Sequence, residues 1–328
     1  MATSPSSRIR HRHRRLRLVE QGQLSPPLQP DEYTGFVTKD DDGEEEQTRN
    51  WAELPLDALL AVLVRLDLAD VLLGAGHLCR PWRRAAREEP VLWRRIDIGR
   101  SSKLGMDYRF QPAVRAAVRR RVRWCEAFCA DGSNGDLDFF FVFLPDVTPH
   151  LKSLRLTLTE CNTVTKQGLN KAISKLGMLE ELELSLTCDT ALSRSDGLAA
   201  TCAVAAGACP LLKHLWLNKY RFQWQSNVGD GEAIEVAKMH GLRSLQLFGN
   251  SLGNAGLAAI LDGCVSLESL DIRHCFYVEM NDEMRGKCAR LKTLKLPEYS
   301  MDGYELSFGC PEMDPGSPDR ILYYFSPI

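Results

Sequence analysis

No stretch of this chain approaches the roughly 18 consecutive apolar residues of a membrane span. Nor does one sign of charge dominate: 41 Lys and Arg against 43 Asp and Glu leave a formal net charge of −2, so no global field argues for nucleic acid or a membrane surface. No C-x-x-C pair occurs among the eleven cysteines. Cys125 and Cys129 come nearest, and no histidine pair follows them at zinc-finger spacing. An odd, scattered set of cysteines in apolar surroundings fits free buried thiols in a reducing cytosol or nucleus better than a disulfide framework. A phosphate-cradling glycine loop, H-E-x-x-H and G-x-S-x-G are all missing. His214 and His240 flank a segment with no carboxylate at triad spacing, and His77 reads as a polar edge rather than a base. No catalytic residue, metal site or cofactor site is expected, and the chain reads as a non-enzyme.

With 328 residues there is room for two or three domains. Residues 1–49 carry almost no periodic apolar pattern. Arg8–Arg17 holds six arginines and two histidines, a Ser-Pro-Pro stretch follows, and Asp40–Glu46 is acidic. Opposite charge blocks without a core read as a disordered tail. For the arginines three readings stand side by side: a solvated tail, a nuclear-import patch, or an organelle transit peptide. Without interleaved aromatics they give little support to base stacking.

From Asn50 to Ile98 the pattern changes, and three short helices can be read. Pro55 suits a first helical turn. Leu59, Leu60, Val62, Leu63 and Leu66 then recur at helical spacing on one face. Asp67 can cap a second helix through Val71, Leu72 and Leu73, closed by Gly74 and Gly76. Pro81 opens a third, Trp82 to Arg87, ending before Pro90. So small a unit is marginal alone and needs a neighbour or partner. Its strings W-x-x-L-P-x-x-x-L-L (Trp51–Leu60), H-L-C-R-x-W-R (His77–Arg83) and P-x-L-W-R-R (Pro90–Arg95) resemble the F-box, in that motif's order and spacing. His77 and Pro81 depart from its pattern without removing an apolar anchor. The resemblance implies docking on the Skp-type adaptor of a cullin–RING ubiquitin ligase, through Trp51, Leu54, Pro55, Leu59, Leu60 and Leu63, some of which must also face the internal bundle.

Beyond this unit the string L-x-x-L-x-L begins at Leu151, Leu179, Leu212, Leu242, Leu267 and Leu291, at intervals of 28, 33, 30, 25 and 24 residues. Such a period marks a stacked solenoid with one short strand per unit. Helical returns are expected over Lys166–Ser174, Asp196–Ala206, Asp230–Lys238 and Asn254–Gly263. Cys209, Cys264 and Cys288 precede their leucine by three residues, and Asn250 and Cys275 take the ninth position. This is similar to the cysteine-containing leucine-rich repeats that commonly follow an F-box. A worn repeat is expected from Val122, through Cys125 and Ala127, with Phe139–Leu144 as its return. Pro112–Arg121 would be a helix within a packed joint, 99–121. The fold class is thus α/β: a three-helix F-box at 50–98, then a leucine-rich-repeat solenoid at 122–300 of roughly six to seven units. Residues 301–328 form a cap or a loose tail, with Leu306, Phe308, Ile321, Tyr323 and Tyr324 available to cover the last layer.

In a strand side chains alternate, so the second, third, fifth and seventh positions of each string face the open, concave sheet. Trp216 and Phe248 fall there, flanked by His214, Gln246 and Arg273. Clustered aromatics and arginine favour binding, and these five are the candidate substrate contacts. Tyr220, Phe222 and Trp224 sit in the loop that follows, as contacts or as a satellite core. The expected function is the substrate-recognition subunit of a Skp–cullin–F-box ubiquitin ligase in nucleus or cytoplasm, resembling small plant F-box/LRR proteins. The alternative is a scaffold that binds a partner stoichiometrically.

Overall fold

In the computed structural model, the residues described are 50–68, 70–97, 122–131, 144–146, 148–158, 165–186, 197–219, 229–297, 311–313 and 321–323. Helix α1 (Leu56–Leu63) begins after Pro55, and its Leu59 and Leu63 turn inward. The Asp67 carboxylate accepts the Asp70 N–H at 2.9 Å, as a cap should. The next helical segment does not close at the glycines. A wide π-type turn over Asp70–Ala75 runs straight into α2 (Gly76–Leu78). Burial of Val71 and Ala75 outweighs the roughly 1 kcal/mol that an interior glycine costs. Helix α3 (Arg80–Glu88) carries Pro81 in its first turn and buries Trp82, Ala85 and Ala86. With Leu59, Leu63, Val71 and Ala75 these make a small separate core.

Eight strands then form one parallel sheet in strict sequence order: β1 (Arg95–Asp97), β2 (Ala127–Asp131), β3 (Ser153–Leu158), β4 (Glu181–Leu186), β5 (His214–Lys219), β6 (Ser244–Gln246), β7 (Ser269–Asp271) and β8 (Thr293–Lys295). The fourth residue of each string stays in register across the sheet: Leu154, Leu182, Leu215, Leu245, Leu270 and Leu294. Each of the first five is buried and stabilises by about 1.5–3 kcal/mol, while Leu294 in the last strand is partly buried. Helices follow at α4 (Lys166–Ile173), α5 (Gly197–Ala208), α6 (Gly231–Val236), α7 (Asn254–Gly263) and α8 (Asp282–Cys288), within two residues of the expected returns where one was expected. Thr165 and Asn281 cap α4 and α8 by accepting the Gly168 and Met284 N–H groups.

Two features of the sheet differ from the reading above. The worn repeat exists, but its register is shifted by three residues. Phe128 pairs with Leu154 and Ala130 with Leu156, so its string is Cys125-x-x-Phe128-x-Ala130, not one begun at Val122. The physical reason is volume: Phe128 fills the layer, whereas Val122 lies in a short 3-10 turn before the strand. The sheet also starts one strand earlier than the repeats suggest. Ile96 pairs with Phe128, and Trp93 and Ile96 are buried in the solenoid core. Leu92 packs against both cores, while Leu68 and Leu72 reach the larger one.

Beyond β8, a separate antiparallel pair joins β9 (Pro311–Met313) to β10 (Ile321–Tyr323). The expected 112–121 helix, the 139–143 part of the first return and the aromatics at 220, 222 and 224 lie outside the described residues, as do Leu306, Phe308 and Tyr324. Among the described residues, no helix is long and apolar enough to cross a membrane.

Candidate functional site

Two surfaces carry the residues that the sequence singles out. The first lies on the helical unit. Trp51 is 58% exposed, Pro55 is exposed, and Leu54 and Leu60 are half-buried. Trp82 donates its indole N–H to the Trp51 carbonyl at 2.9 Å, tying the start of the unit to α3. Leu59 and Leu63 are 2% and 1% exposed and belong to the internal core, so their side chains are already packed against the unit's own helices. Leu56, at the start of α1, is by contrast 51% exposed. Leu56 sits in a variable slot of the motif, where no sequence signal would raise it. Leu54, Leu56, Leu59, Pro81 and Ala85 line a groove of about 530 Å³ between α1 and α3, edged by Arg80, Arg84, Glu88 and Glu89. Apolar floor and charged rim are the anatomy of a protein-binding groove.

The second surface is the open face of the sheet. His214, Trp216 and Gln246 stand there, half-exposed. His214 and Trp216 stack at 5.8 Å between centroids, and the Arg155 guanidinium carbon lies 5.4 Å from the Trp216 ring centre. Gln246 donates to Asn218, Asn218 to Ser185 and Ser185 to Glu183, a polar chain across β6, β5 and β4.

Phe248 and Arg273 correct the expectation that seventh positions are exposed. They are 3% and 2% exposed, and Ser185 and Asn218 are likewise buried. Ser185 and Asn218 lie within β4 and β5, where the Asn218 amide donates to the Ser185 hydroxyl, while Phe248 and Arg273 follow the shorter β6 and β7. Phe248 packs on His274 at 4.8 Å. Arg273 is held by Asp271, with guanidinium nitrogens 2.8 and 3.0 Å from the carboxylate. A buried, satisfied ion pair of this kind holds structure and has no charge to spend on a partner.

The cysteines and Asn250 serve the repeat. Cys275 donates its thiol to the Leu247 carbonyl at 2.7 Å, and Cys264 to Val236 at 3.3 Å. Asn250 gives its amide to the carbonyls of Leu217 and Phe248. Each ninth-position side chain thus holds the end of the preceding strand. Burial pushes the Cys275 thiol up to about 12 and the Cys209 and Cys264 thiols to about 11. Thiols so protonated are poor nucleophiles at neutral pH.

The F-box-like family model matches residues 51–99. Curated relatives from Arabidopsis thaliana extend the similarity across most of the chain. F-box/LRR-repeat protein 22 is 35% identical over 79% of this chain and 81% of its own length. F-box protein SKIP19 is 33% identical over 86% of each. The chain belongs to the F-box/LRR-repeat family. A further relative, F-box/LRR-repeat protein 23, is 35% identical over 79% of this chain, which spans only 56% of that protein's length. In F-box/LRR terms the groove between α1 and α3 lies on the F-box, and the sheet from β1 to β8 is the repeat array.

Proposed function

We propose that this chain is a substrate-recognition subunit of a Skp–cullin–F-box ubiquitin ligase. The observation that carries the reading is the pairing of surfaces on one folded unit: an F-box with an apolar-floored groove, whose next strand, β1, already belongs to a repeat sheet with an open strand face. The groove lined by Leu54 and Leu56, together with Trp51, Pro55 and Leu60 beside it in the chain, receives the Skp-type adaptor, as membership of the family supports. The open face holds a protein substrate. Catalysis then belongs to the ligase's charged E2. This chain raises the effective concentration of a substrate lysine near it and makes no bond itself.

The test is a pull-down of purified adaptor with wild type and with Leu54→Ala/Pro55→Ala, the folded state of each checked by thermal melting. At least a tenfold loss of adaptor affinity is expected, roughly 1.4 kcal/mol or more. Undiminished binding by a folded variant sinks the reading and leaves a scaffold that binds its partner without a ligase.

A further inference from the structure

At the centre of the open face an arginine of the chain itself lies in a cradle built for a cation. Arg155 on β3 approaches Glu181 at 3.8 Å and Glu183 at 3.7 Å on β4, and its guanidinium sits 5.4 Å from the Trp216 ring centre on β5. In register, Glu183 stands between Arg155 and Trp216. The guanidinium therefore has to lie across β4 to reach the indole. His214 stacks beside that ring with an interplanar angle of 14°. Both ion-pair distances exceed a hydrogen bond, and among the described residues the Arg155 guanidinium donates none. The occupant is held by charge and by the aromatic face, without being locked in.

The local charge decides what else could sit there. Among the described residues, one guanidinium and two carboxylates leave a negative balance, with the three side chains 26–35% exposed. A carboxylate or phosphate drawn to Arg155 meets two like charges at comparable range, so repulsion offsets attraction. A cation meets two carboxylates and an indole face, which is the arrangement that attracts arginine most strongly.

We propose that this cradle recognises an exposed arginine or lysine in a basic segment of the protein substrate, with Arg155 as an internal occupant that the incoming cation displaces. The inference rests on the substrate-recruiting reading above and gives the chemistry of what is recruited.

The experiment uses the full chain with its adaptor and measures fluorescence anisotropy. The probes are a labelled Gly-Ser peptide carrying several arginines and its glutamate and phosphoserine counterparts. The arginine peptide is expected to bind wild type, to bind Arg155→Ala several-fold more tightly, and to lose about tenfold or more with Glu181→Gln/Glu183→Gln. Trp216→Ala should weaken it as well, and added salt should weaken every variant. Failure of the arginine peptide to bind both wild type and Arg155→Ala overturns the proposal. So does preferential binding of the glutamate or phosphoserine peptide that disappears in Arg155→Ala. Adaptor co-purification is scored on the same samples. Loss of the adaptor with peptide binding intact counts against the ligase reading alone, and the reverse result counts against the cradle alone.

Discussion

Gly249 and His274 occupy the same place in successive repeats, just past β6 and β7, and both take a positive φ, 64° and 61°. There the chain turns out of the strand so that the Gly249 N–H can meet the Arg273 carbonyl and the His274 N–H the Pro297 carbonyl. Glycine enters that region freely, and histidine is among the few side chains enriched there. A Cβ on Gly249 would lie 2.3 Å from the Lys219 carbonyl oxygen. Gly249→Ala should therefore cost at least about 2 kcal/mol, read as a lower urea midpoint with unchanged slope. Gly74 is the control, since nothing lies within 4 Å of its added Cβ. Gly74→Ala should be neutral or stabilise by up to about 1 kcal/mol. Which glycine is which could not be read from the residues alone. Both sit beside apolar runs, and only the approach of the neighbouring strand tells them apart.

At the scale of elements, the decisive one is β1. The string Trp93-Arg-Arg-Ile96-Asp lies inside the stretch that the F-box resemblance claims, and the family match to 51–99 covers it too. Yet its Ile96 lies in the same layer as Phe128 and Leu154. The last turn of one unit is the first strand of the next. A chain begun at Pro90 should thus stay monomeric with a melting temperature near that of the repeats in the full chain. A chain begun at residue 99 bares the β2 edge and the Phe128 layer, and should aggregate or melt several degrees lower. Size-exclusion chromatography and thermal melting check this, and equal behaviour of the two would show that β1 adds nothing. The six leucine strings were legible because one side chain type recurs at fixed spacing. The register of the worn repeat was not, since Cys125, Phe128 and Ala130 share no chemistry and agree only in the layers they fill.

Across the whole molecule, buried thiols tie stability to pH. Cys125 and Cys275 rise from an ordinary 9.0 to about 12, each mainly through burial. The folded chain thus keeps protons that the unfolded chain releases above pH 9. Their contribution is complete below pH 9 and is lost as pH rises toward 12. Urea midpoints should be flat with respect to these groups from pH 7 to 9 and fall above it. In Cys125→Ala/Cys275→Ala that alkaline fall should be shallower, and an unchanged slope would refute the assignment. The sequence by itself determined the order of parts, the α/β class, the strand period and the F-box motif, because each rests on spacing along the chain. Tertiary structure alone decided which of those residues remain available. Leu59 and Leu63 went inward because three short helices have no other core, while Phe248 was buried against His274 of the next repeat and Arg273 beside Asp271. The same packing left Trp216 half-open and laid Arg155 against it from two strands away, a juxtaposition that no spacing along one chain encodes.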